Sequence, residues 1–246
     1  MGGLTMSDVE ATRVIKFGNS ELDRRIGGIP IPTLCLVEGP SSAGKSVFVQ
    51  AVAYGALNLG YSVHYITTEN TIRGLLNSMK SLSFDCDLHF ITWQFSITSI
   101  NVRNIRWDAE ISQRFLDTLM KFVEFLHEVV GKEVIIVDNI SHFIATASEH
   151  QILEFFSHMR DCVDEHEIAV FLTLHPFVVN EDLLVRIRSV CDGNILLEIK
   201  EMGEQILRMM KVAKLRGAVK RIDVTIGFAV DPVFGIKVIP ISGAKV

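Results

Sequence analysis

Residues 39–46 read Gly-Pro-Ser-Ser-Ala-Gly-Lys-Ser, which places four fixed residue types in the spacing G-x-x-x-x-G-K-[ST]. An apolar run, Leu34-Cys35-Leu36-Val37, precedes them and a helical pattern from Val47 to Leu59 follows, the strand–loop–helix context that this spacing needs. Glycines let the backbone curl until successive N–H groups converge on an anion, and a helix that begins there aims its partial positive end at the same point. The stretch therefore reads as a phosphate cradle made by Gly39, Ser41, Ser42, Ala43, Gly44, Lys45, Ser46 and Val47. Lys45 would bring a full charge to the β and γ phosphates of a nucleotide, and the Ser46 hydroxyl would ligate Mg2+. The plainer alternative, a glycine-rich turn that matches by accident, is opposed by the correct flanks.

A magnesium phosphate site needs a carboxylate close by. Residues 133–138, Glu-Val-Ile-Ile-Val-Asp, form an unbroken β-branched run of the kind expected of a strand covered on both faces. Asp138 at its end is placed to hold Mg2+ through water and to face Ser46, the alternative being an aspartate that merely ends a strand. A second strand, Ser62 to Thr68, ends at Glu69-Asn70, beyond the carboxyl end of a strand, where open α/β sheets bind ligands.

The rest of the chain must position these groups. Ser20 is expected to cap a short helix over Glu21 to Ile26 that Gly27-Gly28 ends, and Gly60 to close the helix after the cradle. Helices are expected over Thr71 to Lys80, Ala109 to Val130, Ser148 to Glu165 and Asn180 to Val190, the last capped by Asn180. Leu88 to Trp93 reads as a third strand, Gln94 to Trp107 as a long irregular connection, and Ile168 to Leu174 as another buried strand. From Asn194 on, strands are expected over Asn194 to Lys200, Gln205 to Arg216, Lys220 to Gly227 and Phe234 to Ile239, with turns at Met202-Gly203, Gly217 and Asp231-Pro232. The fold class is α/β: a parallel central sheet with helices on both faces and a C-terminal antiparallel extension. Residues 1–13 read as a flexible tail and residues 14–246 as one domain.

Bulk properties bound the function. With 246 residues and 48% apolar types the chain can bury one large core. A net charge of −5 and a pI near 5.9 argue against nucleic acid as the main partner, since that affinity draws on a basic surface. The four cysteines, Cys35, Cys86, Cys162 and Cys191, form no C-x-x-C pair and suit packed, reduced thiols. The longest apolar run, Ile168 to Val179, is interrupted by His175 and Pro176, so direct membrane insertion is not expected. No signal peptide is visible, and Met6 stands where a myristoylation signal after Gly2 needs Ser or Thr. The expectation is a cytoplasmic protein that meets a membrane only through a partner. His150, Glu154 and His158 share one helical face, as a metal site would, though a charged helix stripe is commoner.

Taken in order, Leu22-Asp23 with Gly27-Gly28-Ile29-Pro30, Glu38 to Ser46, Thr68-Glu69, Ile136-Val137-Asp138 and Lys214-Leu215-Arg216-Gly217 resemble the RecA-like P-loop ATPases of the KaiC group from Val14 on. Within that group, Thr67-Thr68-Glu69-Asn70 and Val137-Asp138-Asn139 are similar to the ATP-binding accessory subunits of the archaellum, the archaeal flagellum. The resemblance implies a RecA-like fold and the use of ATP and Mg2+. It assigns Glu69 to polarising the attacking water, but Asn70 stands where a second acid is common, which implies binding with weak or no hydrolysis. Lys214 and Arg216, two apart on an expected strand, project from one face. The resemblance has them reach the γ phosphate held by the adjacent subunit, so that ATP lies between the subunits of a homo-oligomer, a hexameric ring. Residues Lys200 to Arg221 carry seven basic and two acidic side chains, which suits such a contact or an ordinary solvated hairpin face. Thr173 and His175 stand where this fold keeps a γ-phosphate sensor; a histidine there is as often structural. The implied partners are the archaellum motor ATPase and membrane platform proteins, at the cytoplasmic face of the membrane. The competing readings are a KaiC-like ATPase with steady turnover and a recombinase-like DNA-binding ATPase.

Overall fold

The computed structural model describes residues 13–202, 205–218 and 225–240. The expected tail up to residue 12, Gly203 of the expected turn and the first half of the expected strand Lys220 to Gly227 lie outside the described residues.

The chain begins with β1 (Val14–Ile15), α1 (Ser20–Ile26) and β2 (Ile29–Pro30), then β3 (Thr33–Glu38) and α2 (Lys45–Asn58). Next come β4 (Val63–Thr67), α3 (Ile72–Ser81), α4 (Asp87–Ile91), β5 (Phe95–Ser99), α5 (Ala109–Glu128), β6 (Val134–Asp138) and α6 (Ser141–Ile144). They are followed by α7 (Glu149–His166), β7 (Ala169–Leu174), α8 (Glu181–Val190), β8 (Gly193–Met202), β9 (Gln205–Leu215), β10 (Thr225–Asp231) and β11 (Gly235–Ile239). Strands β1 and β2 pair by themselves; the other nine form one sheet in the order β11-β10-β9-β8-β3-β7-β6-β4-β5. Strands from β8 to β5 in that order run parallel, and β9, β10 and β11 extend the sheet antiparallel. The fold class expected from sequence holds, with β8 serving as a sixth parallel strand before the antiparallel part begins.

Side chains alternate between two cores on either side of the sheet, as the pleat requires. Cys35, Val37, Val134, Ile136 and Phe171 face a core with α2, α3 and the antiparallel strands, while Leu34, Leu36, Ile135, Val137 and Leu172 face a second core with α5, α7 and α8. A fully buried side chain such as Phe48 or Phe171 contributes roughly 1.5–3 kcal/mol through burial. Because both faces are covered, the central strands β3, β6 and β7 are buried throughout and carry nearly continuous apolar runs.

Two expectations are corrected. Leu88 to Trp93 is not a strand: Asp87 to Ile91 turn into the short helix α4, and the edge strand of the parallel set is Phe95–Ser99, inside the stretch expected to be irregular. The cap of α1 is Asn19 rather than Ser20; its side chain accepts from the N–H groups of Glu21 and Leu22, and Ser20 is the first helical residue. Asn180 caps α8 as expected, Ser148 starts α7 with a capping box to Gln151 that was not anticipated, and all four cysteines are buried and free.

Candidate nucleotide-binding site

The adjacent strands β3, β7, β6 and β4 bring their carboxyl ends together, and each delivers one group. Strand β3 runs into the cradle, β7 into His175, β6 ends at Asp138, and β4 leads to Glu69. The register places Thr67 opposite Asp138 and Val37 opposite Thr173, so residues far apart in sequence meet at one edge.

Within the cradle, Gly44 has φ of 101° at the start of α2, a conformation that side chains resist. Gly39 is required for a different reason: a Cβ there would lie 2.4 Å from the carbonyl oxygen of Leu197 on β8. Among the described residues, no acceptor takes the N–H groups of Gly44, Lys45, Ser46 or Val47, which open α2. Unclaimed donors at the start of a 14-residue helix, with the helix dipole behind them, make a seat for an anion.

Lys45 is buried at 7% exposure and its Nζ donates to the carbonyls of Gly39 at 2.8 Å and Pro40 at 2.9 Å. It also lies 3.2 Å from His175 Nδ1. Burial pulls the Lys45 pKa below the ordinary lysine value, while the carboxylates of Asp138 and Glu69 pull the other way. His175 is also lowered, by burial first and then by the Lys45 charge, so its neutral ring is suited to accept from that ammonium.

Asp138 is 1% exposed, and both of its oxygens accept hydroxyl hydrogen bonds: Oδ1 from Thr173 and Oδ2 from Tyr65, each at 2.7 Å. Each oxygen keeps a further lone pair, so the carboxylate is oriented but not consumed. Glu69 accepts a hydrogen bond from Asn139 Nδ2, and Thr67 Oγ1 receives the N–H groups of Glu69 and Asn70 at 3.3 and 3.1 Å, which fixes the turn. Burial and then the neighbouring Asp138 raise the Glu69 pKa; Lys45 and Asn139 act against that rise.

The resulting cleft has a volume of about 380 Å³ and is lined by Ser41, Ser42, Gly44, Lys45, Ser46, Val47, Glu69 and His175, all expected from sequence. Gly39, Ala43 and Asp138, also expected, are buried and do not line it. Lys214 and Arg216 are not part of its wall. Lys214 Nζ donates to the carbonyls of Arg188, Ser189 and Cys191 at the end of α8, and Arg216 lies 3.3 Å from Asp192. Lys214 lies on β9, whereas Arg216 follows the strand's last residue, Leu215, and stands in the turn after it.

Sequence reasoning missed Arg208 and Val230, which complete the wall. Arg208 Nε donates to the Ser42 carbonyl at 2.9 Å. The basic run from Lys200 to Arg221 pointed at this hairpin, but not at this member. It also missed Glu38, which is buried in front of the cradle and holds Arg188 of α8 by two bonds of 2.7 Å. The donor set suits a magnesium nucleotide: unclaimed N–H groups and an ammonium for phosphate, with a hydroxyl at Ser46 and an oriented carboxylate at Asp138 for the cation. His150, Glu154 and His158 form no metal cluster among the described residues.

Fold and cradle together define a RecA-type nucleotide-binding ATPase domain. A family model described as KaiC ATPase matches residues 15–243, and the chain belongs to that family. Its curated relatives are archaeal flagellar ATP-binding proteins named FlaH. The one from Sulfolobus acidocaldarius is 31% identical, covering 93% of this chain and 98% of its own. The one from Methanocaldococcus jannaschii is 31% identical, covering 91% and 94%. The crystal structure of the flagellar accessory protein FlaH from M. jannaschii superposes with a TM-score of 0.79 at 30% identity, covering 93% of this chain and 99% of that one. A KaiC-like protein from Pyrococcus horikoshii shares the fold at a TM-score of 0.75 and 22% identity, covering 93% and 100%.

Proposed function

We propose that this chain binds ATP with Mg2+ in the cleft over α2, as an archaellum accessory subunit whose nucleotide state sets its assembly. The observation that carries the reading is the cradle itself, with four unclaimed N–H groups and a buried lysine facing an open cleft. Lys45 would exchange its bonds to Gly39 and Pro40 for phosphate oxygens, and Ser46 with Asp138 would hold the cation. Mg2+ supplies neutralisation of phosphate charge. Glu69 would orient water at the γ phosphate, with Asn139 fixing its carboxylate.

In this reading the subunits close into a homo-oligomeric ring, a hexamer, with Lys214 and Arg216 reaching a neighbour's nucleotide. The ring docks on the motor ATPase and platform proteins at the cytoplasmic face of the membrane. Support comes from the FlaH relatives and from the position of both cations at the sheet's antiparallel side. No helix among the described residues is long and apolar enough to cross a membrane. A second reading, a KaiC-like ATPase with steady turnover, is favoured by Glu69 lining the cleft with a held carboxylate.

Calorimetric titration with ATP and Mg2+ tests the first reading. Lys45→Ala is expected to abolish measurable binding while the fold survives in circular dichroism. Tight binding by that variant would remove the cradle from the account.

A further inference from the structure

The end of the sheet opposite the cleft carries an apolar rim that nothing above uses. Leu88 is 76% exposed, Ile91 71%, Trp93 78%, Val129 69%, Leu59 50% and Val130 46%. They come from three segments tied together by hydrogen bonds just before strands β4, β5 and β6. Gln94 Nε2 donates to Leu57 and Tyr61 carbonyls at 3.0 and 3.1 Å, and Ser62 Oγ to the Gly131 carbonyl at 2.7 Å. Lys132 Nζ donates to the Trp93 carbonyl at 2.6 Å.

Two further features set this rim apart from scattered surface hydrophobics. Trp93 has φ of 63°, a conformation unfavourable for a bulky side chain. Lys132 is 2% exposed, and among the described residues its Nζ meets only the carbonyls of Trp93 and Gln94. A strained backbone and a buried ammonium thus hold an indole out in water, an arrangement that core packing does not require.

We propose that this rim docks the apolar face of a basic-flanked amphipathic helix of a partner protein. Leu88 and Ile91 are three apart on α4 and form one ridge beside Trp93, the shape that receives helical apolar residues. An exposed tryptophan is the side chain best suited to anchor such a contact. The exposed charges beside the ridge are mainly acidic: Asp85 precedes α4 and Asp87 opens it, the two sharing Lys80, and Glu128 ends α5 near His166, while Lys132 is buried. On a chain of net charge −5 these acids repel an anionic lipid surface and attract lysine or arginine flanks. The site lies a strand's length from the cleft and does not rest on the nucleotide reading.

The test uses the full chain carrying Trp107→Phe, which leaves Trp93 as its one tryptophan. The probe is an idealised helical peptide with a leucine and isoleucine face and lysine flanks, set beside a twin with glutamate flanks. The lysine peptide is expected to bind with micromolar Kd and to shift Trp93 emission to the blue, and the glutamate twin to bind at least tenfold more weakly. By calorimetry, Trp93→Ser with Leu88→Ser should weaken the lysine peptide at least tenfold with an unchanged melting temperature. Equal binding of both peptides, or no binding of either, overturns the proposal. So does a blue shift produced by phospholipid vesicles alone, or a peptide-free dimer that buries Trp93.

Discussion

Asp138 and Glu69 sit at the ends of neighbouring strands and are held by different means. Asp138 is buried and takes two hydroxyl hydrogen bonds, whereas Glu69 opens onto the cleft and is held by one amide. Burial and Asp138 raise the Glu69 pKa, and a water-polarising carboxylate works only when ionised. Any turnover should therefore fall as pH drops through that raised value. Glu69→Gln is expected to lower phosphate release by about 10²-fold and to flatten the pH profile, with ATP affinity kept. Wild-type turnover in that variant would take Glu69 out of the chemistry. Most of this site was legible because the cradle residues are contiguous, and Asp138 announces itself at the end of a buried run. Tyr65, Thr173, Asn139 and Arg208 were not assigned as their supports, since their roles depend on which strands are neighbours and on the register between them.

Strand β4 shows how an element's environment sets its pH response. His64 is 5% exposed, with its ring nitrogens 2.7 Å from Ser96 Oγ and 3.0 Å from Thr98 Oγ1 on the edge strand β5. Burial, and next the Lys132 charge, push its pKa down to about 4 from 6.5. The unfolded chain takes up this proton more readily than the folded one, so the contribution is complete above the unfolded value. It is lost as pH falls from about 6.5 towards 4, by roughly 3 kcal/mol in total. Melting temperature measured across that window should drop, and His64→Gln should flatten the drop; an unchanged slope would assign the acid sensitivity elsewhere. The same edge shows where pattern reading failed. Leu88, Phe90 and Trp93 suggest a strand by apolar content, but Asp87 starts a helical turn and only Phe95–Ser99 finds a partner in β4. Short apolar runs do not distinguish the two conformations until pairing is known. Long periodic helices such as α5 and α7 were readable, because their apolar stripe repeats over many turns.

At the scale of the whole molecule, the cleft lies at the carboxyl ends of the parallel strands and the cations Lys214 and Arg216 lie on the antiparallel side. Under the proposed assembly they serve a neighbour's nucleotide, yet within one chain both already have partners. The two are not equivalent. Lys214 satisfies three carbonyls at the end of α8, so its removal should cost on the order of 1 kcal/mol or more of stability. Arg216 has a side chain 57% exposed, and its 3.3 Å contact with Asp192 is backed up by the Leu34 N–H at 3.0 Å and Arg160 at 3.2 Å. Asp192 is buried, but those two partners still compensate its charge when the exposed Arg216 is removed, so Arg216→Ala should cost about 1 kcal/mol or less and barely move the melting temperature. Light scattering should find wild-type protein gaining mass with ATP and Mg2+, since a ligand that binds the assembled form favours it by mass action. Arg216→Ala should stay monomeric under the same conditions while still binding ATP. Were its ATP-bound rings to persist, the contact between subunits would have to be sought away from this hairpin.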